Sequence, residues 1–272
     1  EVRIMFNMLR MDLRRLFKSR SFKIILLVTA ALILMVSLMT AVVSDPEVLD
    51  DMGAHGAEID EIDRRMSEEI RNMTQLDLAH ETLGGGFLLI IVGIGVTLFV
   101  NGDFSSGFVK NICCAQPRRA GYVLSKALAA GIYSGIITLL GVILILLAPY
   151  LYGMHPVPSA IPDILQYLFW MWLPHWAFAL MALALVLLTR NTTLGIILSL
   201  VAGGGLTAVL VGTLGKLLRW PPLEQFFLSS VVKGVYVPQN GITQGWMILV
   251  CTIAWAVIYG IGSLLSMEKR DI

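Results

Sequence analysis

The sequence predicts an all-α fold, a polytopic membrane protein with six transmembrane helices, on three observations. Of its 272 residues 57% are hydrophobic and only 14% charged, whereas soluble domains carry about 25% charged residues. Six apolar segments have the length of about 20 residues that a helix needs to cross roughly 30 Å of hydrocarbon. Lys and Arg gather in alternate segments between them. Backbone groups in a bilayer find no water, so each span is expected to be helical.

An amphipathic interfacial helix is predicted over 1–22. At about 100° per residue, Met5, Phe6, Leu9, Leu13, Leu16 and Phe17 share one third of the helical circle, with Arg3, Arg10, Arg14 and Lys18 opposite. It reads as an anchor and topology signal; a lever riding on a partner is the alternative. Seven Lys/Arg among the first 23 residues, and an apolar run longer than the 7–15 residues of a signal-peptide core, argue for an anchored first span.

The spans are expected at Ile24 to Val43, Leu83 to Val100, Val123 to Tyr150, Ile164 to Leu188, Thr193 to Thr213 and Trp246 to Leu265. With the N-terminus inside, fourteen Lys/Arg fall on inner segments and six on outer ones. The positive-inside rule then places both termini in the cytoplasm of a multi-pass cell-membrane protein. The single transmembrane domain carries an acidic extracellular loop over 44–82. Residues 45–82 hold twelve acids and three arginines. Ile59, Ile62, Met66, Ile70 and Met73 form a narrow helical stripe there, with acid-first pairs Asp60/Arg64 and Glu61/Arg65. The stripe is expected to pack on a neighbouring part of a complex. In the loop 214–245, "LEQFFLSSVV" is apolar but too short to span, so a broken re-entrant segment before the last span is predicted, with a capped surface helix as the alternative.

Catalytic constellations were sought and the sequence offers none. There is no G-x-S-x-G, and His175 has no Ser or Asp at helical spacing. Glu68-Glu69 falls in the polar outer loop. Four scattered His without H-x-x-x-H, and Cys113, Cys114 and Cys251 without metal spacing, give no metal site. "GTLGKL" lacks the Gly six positions before the Lys and the Ser/Thr after it that a phosphate loop needs. The chain is therefore expected not to be an enzyme by itself and to bind no cofactor; ATP, if used, is brought by another polypeptide. His175, beside Pro174 in the fourth span, is a candidate for the substrate pathway, because an ionisable group at that depth is costly. The preferred reading is structural, a neutral imidazole donating to a carbonyl freed by Pro174 or on a facing helix. Gly195, Ser199 and Gly203 recur every four residues and predict a close helix interface, within one chain or between two.

The polar segment 101–126 carries Asp103, Phe104, Ser106, Gly107, Lys110, then Pro117, Arg118, Arg119, Tyr122, Ser125 and Lys126. Gly107 is suited to ending a helix that leaves span two, and Ile112, Cys113 and Cys114 offer a small apolar surface. The basic residues are expected to hold the flanks at anionic headgroups. The run from Asp103 to Lys126 resembles the cytoplasmic loop of type-2 ABC transporter permeases, where an acid, an aromatic, Ser-Gly-Thr and a Lys precede a Pro and Arg. The likeness extends to the six spans, the amphipathic N-terminal helix, the large first outer loop and the broken segment before the last span. It departs at Phe108, where Thr is usual, and at Cys113-Cys114.

The resemblance implies a permease subunit of an ABC exporter. Its loop 101–126 would be a coupling helix docking on a separate ATP-binding subunit, which holds ATP and Mg. Asp103, Gly107 and Lys110 would start and orient that helix, while Arg119 and Lys126 anchor its return. The implied partners are that subunit, a second permease chain, identical or not, and membrane lipids, with no nucleic acid. A peptide, possible for an acidic outer face, is the leading substrate class and a hydrophobic drug the next. A membrane scaffold or an unrecognised intramembrane enzyme is the rival reading.

Overall fold

The computed structural model describes residues 2–55, 58–109, 120–219, 221–235 and 245–269. Its elements are α1 (Val2–Lys18), α2 (Arg20–Ser44), α3 (Pro46–Ala54), α4 (Glu61–Asn72), α5 (Gln75–Leu83), α6 (Phe87–Ser105), α7 (Ala120–Leu151), α8 (Ile161–Thr189), α9 (Thr192–Gly203), α10 (Leu206–Leu218), a 3-10 turn (Leu223–Phe226), α11 (Leu228–Lys233) and α12 (Gly245–Lys269). Beyond helices the described residues form one isolated bridge, Thr74 with Val157. Five helices, α2, α6, α7, α8 and most of α12, are long and apolar enough to cross a membrane, or six if the bent pair α9–α10 counts as one broken span rather than a re-entrant loop. The protein is a polytopic helical membrane protein.

Helix α8 is the centre of the bundle: 72% of its apolar window is buried, against 22% in α2 and in α12. It packs on α12, α7, α6 and α9. Helices α2 and α12 keep apolar outer faces, such as Leu27, Met35 and Met39 or Val250, Ile253 and Val257, exposed by the rest of the chain. An all-round apolar helix with one buried stripe suits a peripheral position in lipid.

The second span starts later than its hydropathy suggested and runs further. Gly84 to Gly86 separate α5 from α6, with Gly86 at φ +85°. Helix α6 then continues through Asp103 to Ser105, so the first turn of the polar segment is helical. The fifth span is not the single helix expected over Thr193 to Thr213. It breaks at Gly204-Gly205 and bends by 56°, with Gly205 at φ +79°, a conformation that costs an L-residue about 1–2 kcal/mol. Hydropathy does not register this break, because the near-neutral glycines are averaged with Leu and Val on both sides.

The stripe Gly195, Ser199 and Gly203 lies against α6 within the chain. A Cβ on Gly195 would stand 2.7 Å from Thr97 Cγ2, one on Gly203 would stand 3.0 Å from the backbone nitrogen of Ile90, and one on Gly93 would meet Ser199. The pairs run antiparallel in steady register, small residues on both helices letting the backbones approach. On the α7–α8 face, Trp172 and Trp176 stack at 5.3 Å. Their indoles donate to the carbonyls of Gly131 and Ala127 at 3.0 Å, and the bare Cα of Gly131 makes room for Trp176.

The acidic segment forms three short helices. Asp60 and Thr74 cap α4 and α5 in capping boxes. The pair Glu61–Arg65 is present at 3.6 Å, but Arg64 turns to Asp50 of α3 at 2.9 Å in place of Asp60, whose carboxylate serves the α4 N-terminus. Ile62 and Met66 of the stripe are exposed, so none of the described residues covers them. Ser67 ties α4 to α2 by donating to the Ser44 carbonyl, and Gln75 and Leu76 bond Val157 and Ser159 of the next outer loop. In 214–235, the 3-10 turn and α11 are each too short to span. Leu228, Val231 and Val232 of α11 are buried, α8 being among the helices packed on it. Residues 236–244, with Pro238 to Gly241, lie outside the described residues.

Gly203→Leu should lower the stability of the purified chain by about 1–3 kcal/mol, since the added side chain meets backbone that cannot yield. Gly260→Leu, whose Cβ meets nothing, should stay within about 0.5 kcal/mol of the parent. Thermal unfolding of both in detergent distinguishes an interface inside the chain from one between chains.

Candidate functional site: a buried charge cluster at the loop base

The polar residues flanking 101–126 converge on α1. Helix α7 starts at Ala120, so Lys126 lies almost two turns into it, and its side chain is fully buried. Its Nζ donates to Asp12 Oδ1 at 2.6 Å and stands 2.7 Å from Asp103 Oδ2. Arg15 Nη2 pairs with Asp103 Oδ1 at 2.8 Å, as an ion pair without hydrogen-bond alignment. Tyr122 Oη donates to Asp103 Oδ2 and Ser125 Oγ to Asp12 Oδ2, each at 3.0 Å. The Lys126 ammonium also lies 4.2 Å from the centre of the Phe99 ring, an attraction that strengthens on desolvation.

Two acids and two bases balance, which is what lets them stay charged away from water. Three helices supply them. Asp12 and Arg15 come from α1, Asp103 from the end of α6, and Lys126 from the start of α7. On α1, Met8, Asp12 and Leu16 recur every four residues and are all buried. The helix therefore shows three faces: this bundle face, the basic face, and an apolar flank whose Phe6 and Phe17 stay exposed.

Each sequence-predicted site residue has a definite place or lies outside the description. Asp103 is buried in the cluster. Phe104 is half-buried, with the Arg190 guanidinium 5.8 Å from its ring centre. Ser106 is exposed and caps α6, and Gly107 is half-buried at φ +71°, where an added Cβ would meet nothing within 4 Å among the described residues. Lys110, Arg118 and Arg119, with Cys113 and Cys114, lie outside the described residues. Lys126 does not sit at headgroups as expected; its length spans the gap between two buried carboxylates. His175 is buried, and its Nδ1 lies 2.6 Å from the Met171 carbonyl, which requires the proton on Nδ1. That carbonyl is one residue beyond the Trp170 carbonyl left open by Pro174. His175 Nε2 is buried without a hydrogen-bond partner among the described residues. Glu68 and Glu69 are exposed on α4.

Sequence reasoning missed Asp12 and Arg15. The available signal was Asp12 itself, the single acid in α1, at the four-residue spacing of Met8 and Leu16. The ends of α6, α8 and α12 share this end of the bundle: Arg190 reaches Phe104, and Ser266 donates to the Leu187 carbonyl. Among the described residues no group of three His, Cys, Asp or Glu is placed to hold a metal ion. No protein-family model matches this chain, and no curated protein matches it.

Lys126→Met strands Asp12 without a counter-charge and should cost about 3–5 kcal/mol of stability. Asp12→Asn in the same chain leaves the Arg15–Asp103 pair neutral and should recover more than half of that loss. Tyr122→Phe should cost about 1.5–3 kcal/mol, the value of a hydrogen bond to a charged group. Unfolding followed by tryptophan fluorescence in detergent ranks the three; a double variant no better than Lys126→Met would refute charge balance as the cause.

Proposed function

We propose that this chain is the permease subunit of a type-2 ABC exporter, working with a second permease chain in the cell membrane, with both termini cytoplasmic. A separate ATP-binding subunit docks on the loop 101–126 and hydrolyses ATP there with its own Mg. The observation that carries the reading is the buried cluster at the loop's base. Force applied to the loop meets α6 and α7 where Asp103 and Lys126 join them, and α1 through Asp12 and Arg15. Separating any of the three helices would expose an unpaired charge to a low-dielectric interior, so they move together.

Such a lever is what a permease without a nucleotide site needs. ATP binding shifts access only if the partner binds one conformation of the loop more tightly than the other. Ser106, exposed at the end of α6 where Gly107 turns the chain, is the part free to be gripped. The exposed acidic surface of α3 and α4 favours a cationic peptide as the exported substrate, by raising its concentration near the outer mouth; a hydrophobic drug would bypass that field.

The test is to co-express the chain with an ATP-binding protein encoded beside it and measure ATP hydrolysis in nanodiscs. Ser106→Arg should lower stimulated hydrolysis by about tenfold while the unfolding midpoint stays put. A photo-crosslinker at position 106 should capture the ATP-binding subunit. Failure to co-purify, with no crosslink and no stimulated hydrolysis, would leave the scaffold reading in its place.

A further inference from the structure

We propose that the cleft where α1 meets α2 is a binding site for one anionic phospholipid. The inference stands on the cleft alone and holds whether or not the chain is a transporter. The cleft has a volume of about 510 Å³ and is bounded by α1, α2, α6 and α7. Its polar lining is Arg14, Arg15, Lys18, Ser19, Ser21 and Tyr133, and among the described residues no carboxylate lines it. Its apolar lining includes Phe22, Ile25, Leu98 and Phe99. Basic groups and hydroxyls at one end, aliphatic and aromatic walls at the other, match a phosphate followed by acyl chains.

The basic groups are available. Arg14 and Lys18 are exposed, and neither has an ion-pair or hydrogen-bond partner among the described residues. Arg15 is the exception: its Nη2 pairs with Asp103 and its guanidinium lies 3.9 Å from the centre of the Phe108 ring, so the free charges of the cleft are Arg14 and Lys18. A phosphate oxygen is the acceptor a guanidinium fork fits best. Ser19 already accepts from the Phe22 amide as the cap of α2, which leaves its hydroxyl proton to donate. The depth is right as well: α1 is amphipathic, and α2 turns continuously apolar from Ile24 onward, so their junction falls at headgroup level. The apolar walls Ile25, Leu98 and Phe99 lie deeper than Gly102, which lines the charged end beside Asp103 and where an added Cβ would meet nothing within 4 Å among the described residues.

Charge and shape separate this from diffuse attraction to an acidic membrane. Arg10 and Lys23 are also exposed basic residues of α1 and α2, but they do not line the cleft. The test is native mass spectrometry of the full chain in detergent, titrated with phosphatidylglycerol or phosphatidylcholine. The parent should hold one phosphatidylglycerol in preference to phosphatidylcholine. Arg14→Gln with Lys18→Gln should weaken phosphatidylglycerol roughly thirtyfold, the effect of two basic residues at a membrane surface, and leave phosphatidylcholine unchanged. Arg10→Gln with Lys23→Gln, the same loss of charge off the cleft, should change neither. Gly102→Leu should narrow the headgroup end of the cleft and weaken phosphatidylglycerol with no loss of thermal stability. Equal effects of the two double variants would overturn the site in favour of diffuse electrostatics. Displacement of the lipid by inorganic phosphate would show a free-anion site and overturn the lipid assignment, as would a parent with no headgroup preference.

Discussion

The structure depends on one ammonium group held away from water between two carboxylates. Lys126 cannot retreat to the surface from its position in α7, and Asp12 and Asp103 cannot reach solvent from theirs. Each charge is tolerable only because the others are present. Arg15 completes the balance and, with its side chain 34% exposed, is the member that reaches toward the surface. Removing charges from water costs several kcal/mol per ion, so a cluster of this kind adds little net stability over an apolar one of the same shape. What it fixes is register. Only one placement of α1 along α6 and α7 pairs all four charges, whereas an apolar face would accept several.

That constraint has a packing counterpart further along the bundle. Between helices in lipid there is no hydrophobic gain to be had from contact, so close approach relies on van der Waals fit and on hydrogen bonds. Helices α6 and α9 meet through Gly93, Gly195, Ser199 and Gly203, and α7 and α8 through the indoles of Trp172 and Trp176 against the carbonyls beside Gly131. Shape thus holds α6 to α9 and α7 to α8, while charge holds α6 and α7 to α1 at the end where α1 lies. Helix α10 has fewer such ties, and it is the element that departs from the span direction at Gly205.

The parts legible in the sequence are those set by composition. Five of the six expected spans followed from hydropathy as single long helices, because an unpaired peptide in hydrocarbon is costly enough to impose long apolar runs. The bend in the fifth span was not legible from hydropathy, since the near-neutral Gly204 and Gly205 are averaged with Leu and Val on both sides, and the positive φ of Gly205 shows only in the structure. The acidic outer segment read correctly as helical, but the partner of Arg64 did not, because Asp60 is claimed by backbone amides. The site was read by half. Asp103 stood out as the lone acid of a basic segment; Asp12 was hidden on a helix whose polar residues were all assigned to water. Lys126 was misplaced for a related reason: a Lys near an apolar segment is ordinarily a flank, and its burial becomes visible only once α7 is seen to begin at Ala120.

Arg15 connects the cluster to the membrane surface. One of its terminal nitrogens neutralises Asp103, and the other lies in the residue that shares a cleft with Arg14 and Lys18. A negative group in that cleft would draw on the same guanidinium that balances Asp103. Because the cluster is neutral as it stands, any added anion must be matched by charges outside it, and Arg14 and Lys18 are the two basic residues of the cleft not already paired. The spare positive charge therefore stands where the balanced cluster ends, on the exposed side of α1. The helix can then satisfy the interior through Asp12 and the surface through Arg14 and Lys18 without exchanging partners between them.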